Sequence, residues 1–504
     1  MTKNRITTDT KDRIIIMGCK NMKKINLLAA AVLAAAFAMP AQADFTPYAN
    51  FNGYMRSGVM HGNSAFGSKT DTVKLGRLGN ENDTFMEFGL GVDVAKVDDV
   101  TYSVYGMIAH GGDGNEKDWN TNLSCRQAWA GAKNLLGQGD DFLWAGKRYY
   151  KREDIHILDE YYYNVSGTGV GLENVILGPG KISLAWTRND KDFGDYTQKK
   201  GYEDTTTGSV SATDLYDWQK SQPDSADYKK DDGTYDIEKY MKDFETWQDN
   251  FDKLKKFSAN NKPSRVKVNT FDVRYEFPVW DGASLQLGAT YLDAEKDKSG
   301  YYRTYTIEND KAIKDGLNLS AELSVGLLGG FNKTMIASFS GSSAADVHYG
   351  TGSSVYQDEG QGWRFINWGD VHFTKELGFA HALQYAYSSG FKSYDNERSV
   401  NFVMRPYYQL TKMTKLVAEL GWFADKKEAK PDEKGVKAYS SKHGSKYTLA
   451  YAICPDASNF WSRPEFRLYV SHVSVSDNMN IGPTAQWVRQ TSDNMFGAQV
   501  EAWW

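Results

Sequence analysis

Apolar and polar residues alternate with a period of two along this chain, and past its first forty or so residues no run of roughly twenty apolar residues could cross a membrane as a helix. Thr84 to Val94 reads TFMEFGLGVDV. Met86, Phe88, Leu90, Val92 and Val94 fall on one face of a strand, and Phe85, Glu87, Gly89, Gly91 and Asp93 on the other. Ile182, Leu184 and Trp186 oppose Ser183, Ala185 and Thr187 in the same way, and Phe271, Val273, Tyr275 and Phe277 oppose Asp272, Arg274 and Glu276. Leu285 to Tyr291 and Phe466 to Val470 repeat the pattern. Each segment is written for two different solvents, one per face.

A soluble sandwich also alternates, but it buries its apolar faces against a second sheet and rarely extends over a secreted chain of this length as one domain. A transmembrane barrel turns the apolar face to lipid, keeps the polar face in its lumen, and tolerates long polar loops at one end. The expected fold is therefore all-β, a transmembrane antiparallel barrel. Tyr102, Tyr149, Tyr150, Tyr291, Tyr407, Tyr408 and Trp422, near strand ends, are candidates for its interface girdles. The chain ends AQVEAWW, which places Val500, Ala502 and Trp504 on one face and Gln499, Glu501 and Trp503 on the other. Parity sends Trp504 to lipid and Trp503 to the lumen.

Export is expected as well. Ile25 to Ala38 is apolar, follows Lys23 and Lys24, and precedes Ala41-Gln42-Ala43, the small-residue pattern that signal peptidase reads. Residues 1–43 are read as an upstream extension plus signal peptide, starting in effect at Met22 and cleaved after Ala43, with residues 44–504 forming the barrel. Residues 44–504 hold 52 basic and 62 acidic side chains, so no basic surface for nucleic acid is expected. Their two cysteines, Cys125 and Cys454, are too few for a disulfide framework, and their spacing leaves a single bridge open.

The alternation stops between about Asn189 and Asn269, where a polar stretch suits one large extracellular loop. Within it Asp236 to Phe257 carries Ile237, Tyr240, Met241, Phe244, Trp247, Phe251 and Leu254 at helical spacing. Two further segments, Asp425 to His443 and Ser340 to Gly362, are also expected outside. Signatures of hydrolases and zinc enzymes (G-x-S-x-G, H-E-x-x-H, C-x-x-C) are missing from the sequence. His156 beside Asp154 and Asp159 is a weak general-base cluster at best, so a channel without cofactor or metal is expected rather than an enzyme.

Several motifs go beyond a generic barrel. FNGYMRSG from Phe51, RLGNE from Arg77, WAGKRYYKR from Trp144, Tyr161-Tyr162-Tyr163, GLEN from Gly171, GFNK from Gly330, WSRP from Trp461 and the final Trp503-Trp504 resemble, in order, the maltoporin family of sugar-specific porins. The resemblance implies a barrel of about eighteen strands, a homotrimer in the lipid of the bacterial outer membrane, and a third loop folded inward as a constriction. It implies an oligosaccharide substrate, maltose or maltodextrins foremost, with sucrose, another saccharide or general diffusion as alternatives. A periplasmic sugar-binding protein is a candidate partner. Carried over by position, the aromatic slide comprises Tyr54, Phe85, Trp119, Phe331 and Trp503, and the polar track and constriction comprise Arg56, Arg77, Glu87, Arg126, Arg152, His156, Asp159 and Tyr161. A pyranose has apolar C–H faces that stack on rings and a rim of hydroxyls that need donors and acceptors, so a sugar pore needs both walls. One slide tryptophan has no counterpart where it is sought, at Ser399 and Val400, which predicts a shortened slide or a substitute in Phe402 or Tyr394.

Overall fold

The computed structural model describes residues 48–62, 73–112, 123–197, 223–230, 236–259, 263–295, 314–351, 358–392, 394–431, 437–480 and 486–504, together with Thr234, Ser354 and Gly435. The expected signal peptide and Trp119 lie outside them. Strands β1 (Ala49–His61), β2 (Thr84–Val97), β3 (Val100–Gly112), β4 (Ser124–Lys133) and β5 (Phe142–Arg148) lead into a short hairpin, β6 (Arg152–Ile155) and β7 (Glu160–Asn164). Then come β8 (Gly167–Leu177), β9 (Gly180–Thr197), the helix α1 (Ile237–Ala259), β10 (Pro263–Trp280), β11 (Ala283–Glu295), β12 (Gly316–Leu327) and β13 (Gly330–Gly341). The chain finishes with β14 (Gly360–His372), β15 (Leu377–Ser389), β16 (Asn396–Gln409), β17 (Thr414–Glu428), β18 (Tyr439–Ile453), β19 (Glu465–Asn480) and β20 (Gln486–Trp503).

All but β6 and β7 join one 18-stranded sheet. Each strand pairs antiparallel with its neighbours, and β1 pairs with β20 from Tyr54↔Trp503 to His61↔Phe496, which closes the sheet into a barrel. Closure leaves no sheet edge, which is what a hydrocarbon solvent requires of strands. No helix among the described residues is long and apolar enough to cross a membrane.

The polarity of the wall is inverted relative to a soluble protein. On β10, Phe271 and Val273 are exposed on the outside, while Asp272 and Arg274 are buried inside and bonded to each other and to Thr290 of β11. On β19, Phe466, Leu468 and Val470 are exposed and Arg467 and Tyr469 are buried. Trp504 meets Phe51 and Phe88 at 5.7 Å each on the outer surface, as parity requires. The girdle candidates divide: Tyr102, Tyr291, Tyr408 and Trp422 face outward, whereas Tyr150 and Tyr407 are buried within, and Tyr149 donates from its hydroxyl to Glu87. Neighbouring residues of a strand point to opposite faces, so Tyr407 and Tyr408 cannot share a girdle.

Connections alternate in length. One end has short turns, such as 98–99, 178–179 and 281–282; the other carries the long segments. β9 runs to Thr197 and β10 begins at Pro263, so both strands extend into the polar stretch taken from the sequence as loop, and α1 sits between them close to where its periodicity places it. Asp236 caps that helix by accepting from the Lys239 amide.

Among the described residues, three segments fold inward. The first, from Val73 to Asp83, lies on the β17–β19 wall: Leu78 donates its amide to Glu419, and Lys446 donates to the Gly76 and Leu78 carbonyls. The second is the β6–β7 hairpin. The third begins at Ser342, and here the structure corrects the reading of 340–362 as an outside loop: Ser342, Ser343, Ala344 and Val347 are buried inside. Their small side chains allow it, and His348 reaches the Ser388 and Ser399 hydroxyls at 2.9 and 2.6 Å. Arg364 of β14 ties two of the segments together, donating to the Tyr162 carbonyl at 2.6 Å and the Gly350 carbonyl at 2.7 Å.

Candidate functional site

The lumen beside the inward hairpin carries a row of rings. Tyr54 and Phe85, on adjacent strands β1 and β2, have centroids 6.1 Å apart. Tyr54 is the direct cross-strand partner of Trp503. Trp503 lies 6.3 Å from Trp461, and Trp461 is 6.4 Å from Phe331 with the ring planes only 28° apart. Trp368 closes the row edge-on to Phe331 at 5.1 Å. Tyr54, Phe85 and Trp503 stand at inward positions of neighbouring strands, and Trp461 is supplied by the turn 454–464 that joins β18 to β19.

Behind the row runs a network of fixed charges. Arg77 donates to the Tyr54 hydroxyl at 2.8 Å, and that hydroxyl donates to Glu501 at 3.0 Å. Arg463 lies 4.1 Å from the Trp503 ring centre and donates to Glu501 through Nε at 3.0 Å and Nη2 at 2.8 Å. Its planar fork makes this two-point grip, which a lysine could not. His156 sits between Arg77 and Arg463, with ring nitrogens 3.3 and 3.1 Å from them, and meets Trp503 edge-on at 5.5 Å. Burial lowers the His156 pKa to about 4, so the ring is neutral.

Flanking these rings, on the same strands and on the inward hairpin, is a charged cluster. Arg56 donates to Asp83, to Glu81 at 2.8 Å and to Asp159 of the hairpin at 2.9 Å. Arg152 is sandwiched between Tyr149 and Tyr161, 4.0 and 3.8 Å from their ring centres. Tyr149 in turn reaches Glu87 at 2.9 Å. Arg126 is the extra residue where the β3–β4 register shifts, and the bulge aims its guanidinium to within 6.0 Å of the Phe85 ring.

A closed, inside-out barrel with inward segments and a ring row flanked by charge is a porin architecture, and comparison with known proteins gives the family. The LamB porin family model matches residues 49–504. The chain belongs to the LamB porin family. It is similar to maltoporin 1 of Klebsiella pneumoniae subsp. pneumoniae, 31% identical over 499 residues that cover 95% of this chain and 98% of that protein. It is also similar to the maltoporin of Photobacterium profundum, 31% identical over 495 residues covering 91% and 94%. Maltoporin 2 of Yersinia pseudotuberculosis is 29% identical, covering 90% and 94%. The porin is thus a β-barrel of the bacterial outer membrane.

Of the residues singled out in its sequence, this porin brings Tyr54, Phe85, Phe331 and Trp503 into the ring row, and Arg56, Arg126, Arg152, Glu87, Asp159 and Tyr161 into the charged cluster beside it. Arg77 and His156 stand behind the row, 2% and 6% exposed, where they hold Tyr54 and Trp503 rather than line the open lumen. The substitutes considered for the unmatched tryptophan do not join. Val400 and Phe402 alternate with Ser399, Asn401 and Val403, which are buried on the inner face, so both point outward. Tyr394 stacks on Phe391 at 4.5 Å and bonds Ser388. Trp461 instead stands between Trp503 and Phe331. Strand parity could not find Trp461 because it lies on a turn; its signal was the WSRP motif. Trp368 carried no signal beyond its inward parity on β14. Cys125 and Cys454 are both free, so no bridge forms.

Proposed function

We propose that this porin mediates facilitated diffusion of linear oligosaccharides, maltodextrins foremost, across the outer membrane as a homotrimer, acting as a channel and not as an enzyme. The observation that carries the reading is the row of rings from Phe85 and Tyr54 to Trp503, Trp461 and Phe331 on the lumenal wall, flanked by paired Arg and carboxylate groups. The rings take the apolar faces of successive pyranoses, and Arg56, Arg126, Arg152, Glu87, Asp159 and Tyr161 exchange hydrogen bonds with the hydroxyl rim. Each contact is weak and is replaced by the next, so the sugar advances without meeting a deep well. Trp119 is assigned to the entrance of the row, by resemblance. The family's relatives named maltoporin support maltodextrins as the substrate class, and the row of rings favours this over sucrose or general diffusion. On the far side a periplasmic sugar-binding protein would receive the product of transport.

Ion current through the trimer in a planar bilayer tests the proposal. Maltodextrins should block the current with affinity that rises with chain length, and Trp503→Ala should weaken the block about fivefold while leaving ion conductance unchanged. A current indifferent to every oligosaccharide would refute the sugar reading.

A further inference from the structure

From Tyr54 the ring row passes through Trp503 toward Phe331, and a second set of rings stands on the opposite side of Tyr54, on β3 to β5. The proposed slide does not use it. Phe85 pairs with Gly111, and the regular register below that pair puts Gly89, Gly91 and Tyr105 on the same inward face. Tyr105 pairs with Trp129, and Trp129 with Gly146, whose strand brings Phe142 to this face as well. All three rings are half-buried. Tyr105 and Trp129 are stacked, with centroids 5.2 Å apart and planes 20° from parallel, and Phe142 meets Trp129 edge-on at 5.7 Å. The cluster lies toward the short turns, because Gly91, the partner of Tyr105, is about 20 Å of strand below Phe85. Inward glycines make room for it. A Cβ at Gly91 would stand 3.2 Å from the Tyr105 ring and one at Gly89 would overlap its hydroxyl, so Tyr105 leans across β2 and donates to Asn52 of β1 at 2.8 Å. A Cβ at Gly131 would overlap the Phe142 ring in the same way. Trp129 donates from Nε1 to Gln127 at 3.2 Å, and Arg148, paired with Glu173, lies 5.2 Å from the Trp129 ring centre and 5.0 Å from that of Phe142.

We propose that Tyr105, Trp129 and Phe142 form a second saccharide-stacking site on the periplasmic side of the constriction, separate from the row, with Asn52, Asp93 and the Arg148–Glu173 pair as its hydroxyl partners. The inference rests on the sugar-channel reading and extends it. Rings that served only to fill the wall would be covered, as Trp144 is: it is fully buried and meets Tyr150 at 5.5 Å where the chain turns into the lumen. The three rings of the cluster instead keep part of their surface open on a wet wall, which is the mark of a surface that a ligand covers. Two features select a neutral saccharide. Glu173 compensates the Arg148 charge, so the site offers donors without favouring an anion. Asn52 accepts from Tyr105 and Asp93 from Ser103 at 2.6 Å, and a purely apolar ligand would strip water from this polar rim without replacing it. The cluster is also within reach of the constriction. Asn52 stands two residues from Tyr54 on the same face of β1, about 7 Å along the strand, so a sugar chain passing Tyr54 meets the new rings without crossing bare wall.

Sugar block of the ion current, read separately from each side of a planar bilayer, is the test, with linear maltodextrins as the probe and the porin oriented by one-sided insertion. Trp129→Leu keeps apolar bulk and removes the ring. It should lower the affinity of block about fivefold and slow association mainly for sugar added on the side of the short turns. Tyr105→Leu should act in the same direction. Trp129→Phe and Tyr105→Phe keep a ring at each position and should retain most of the affinity, which separates stacking from a general disturbance of the wall. Equal slowing from both sides in Trp129→Leu would overturn the placement of the site. If the unsubstituted porin is blocked and Trp503→Ala weakens the block, while Trp129→Leu and Tyr105→Leu keep the unsubstituted affinity, the second site is overturned and the channel reading stands. If no sugar blocks the unsubstituted porin, the channel reading fails and the second site with it.

Discussion

Glu501 accepts from four groups: the Tyr54 hydroxyl, Arg463, Arg467 at 2.8 Å, and Arg77 at 3.2 Å. It is fully buried, and each of these donors fixes something different, a ring above it or a neighbouring strand. Removing the carboxylate leaves buried guanidinium groups without compensation. Glu501→Ala should therefore destabilise the barrel by roughly 3–5 kcal/mol, read as a lower urea midpoint for unfolding from lipid vesicles. The same variant should weaken sugar block, because Tyr54 and Trp503 lose the group that aligns them. Trp461 gives a sharper functional test. Trp461→Ala should weaken maltodextrin block about fivefold with ion conductance unchanged; unaltered block would break the row between Trp503 and Phe331. Near neutrality the hairpin carboxyls add a pH dependence. Burial raises the pKa values of Asp154 and Glu160 to about 7, so both lose their negative charge as the pH falls through neutrality. Cation-over-anion selectivity, measured as a reversal potential, should decline from about pH 8 to about pH 6, and Asp154→Asn should flatten that decline.

At the scale of elements, the inward segments decide how wide the lumen is. Val73 to Asp83 presses against β17 where Gly421 leaves room: a Cβ at Gly421 would stand 2.1 Å from the Leu75 carbonyl oxygen. Gly76, at φ +88°, lies against the Glu419 carboxylate in a left-handed conformation. Gly421→Val should push this segment off the wall, visible as a larger and noisier single-channel conductance in a barrel that still folds. Tyr161→Ala, at the hairpin, should raise conductance as well, because it removes a ring that projects from the constriction beside Arg152. The two devices differ in how legible they were. The hairpin was expected from WAGKRYYKR and the tyrosines that follow, although only by resemblance. The inward course of 73–83 and of 342–350 had no periodic signal, since each is held by bonds to strands that lie far away in the sequence. The division of Tyr149 and Tyr150 from the girdle has a similar cause, as both follow the end of β5, where the chain turns into the lumen.

For the whole molecule, the inverted polarity sets the stability rules. Val273 is exposed on the outer face of β10 beside buried Asp272 and Arg274. Val273→Arg would place a charge against lipid and should cost about 2–4 kcal/mol near the bilayer midplane, measured by reversible folding into vesicles. In a soluble sandwich with water on that face, the same change would be nearly neutral, so the measurement also tests which side is wet. Closure matters equally. The Tyr54↔Trp503 pairing joins the first barrel strand to the last, and so brings two slide candidates nearly 450 residues apart in sequence onto adjacent strands.

The sequence by itself determined which face of each strand meets lipid, because side-chain direction alternates locally and needs no distant partner; from that followed the barrel, the outward Trp504 and the inward Phe85 and Trp503. It also carried, in its ordered motifs, the porin family. Only the tertiary structure decided which inward groups meet. Trp461 enters the row from a turn, Arg77 and His156 recede behind it, and Phe402 faces away, because these placements depend on barrel closure and on segments folded into the lumen. Such contacts join residues hundreds of positions apart, and no local period records them.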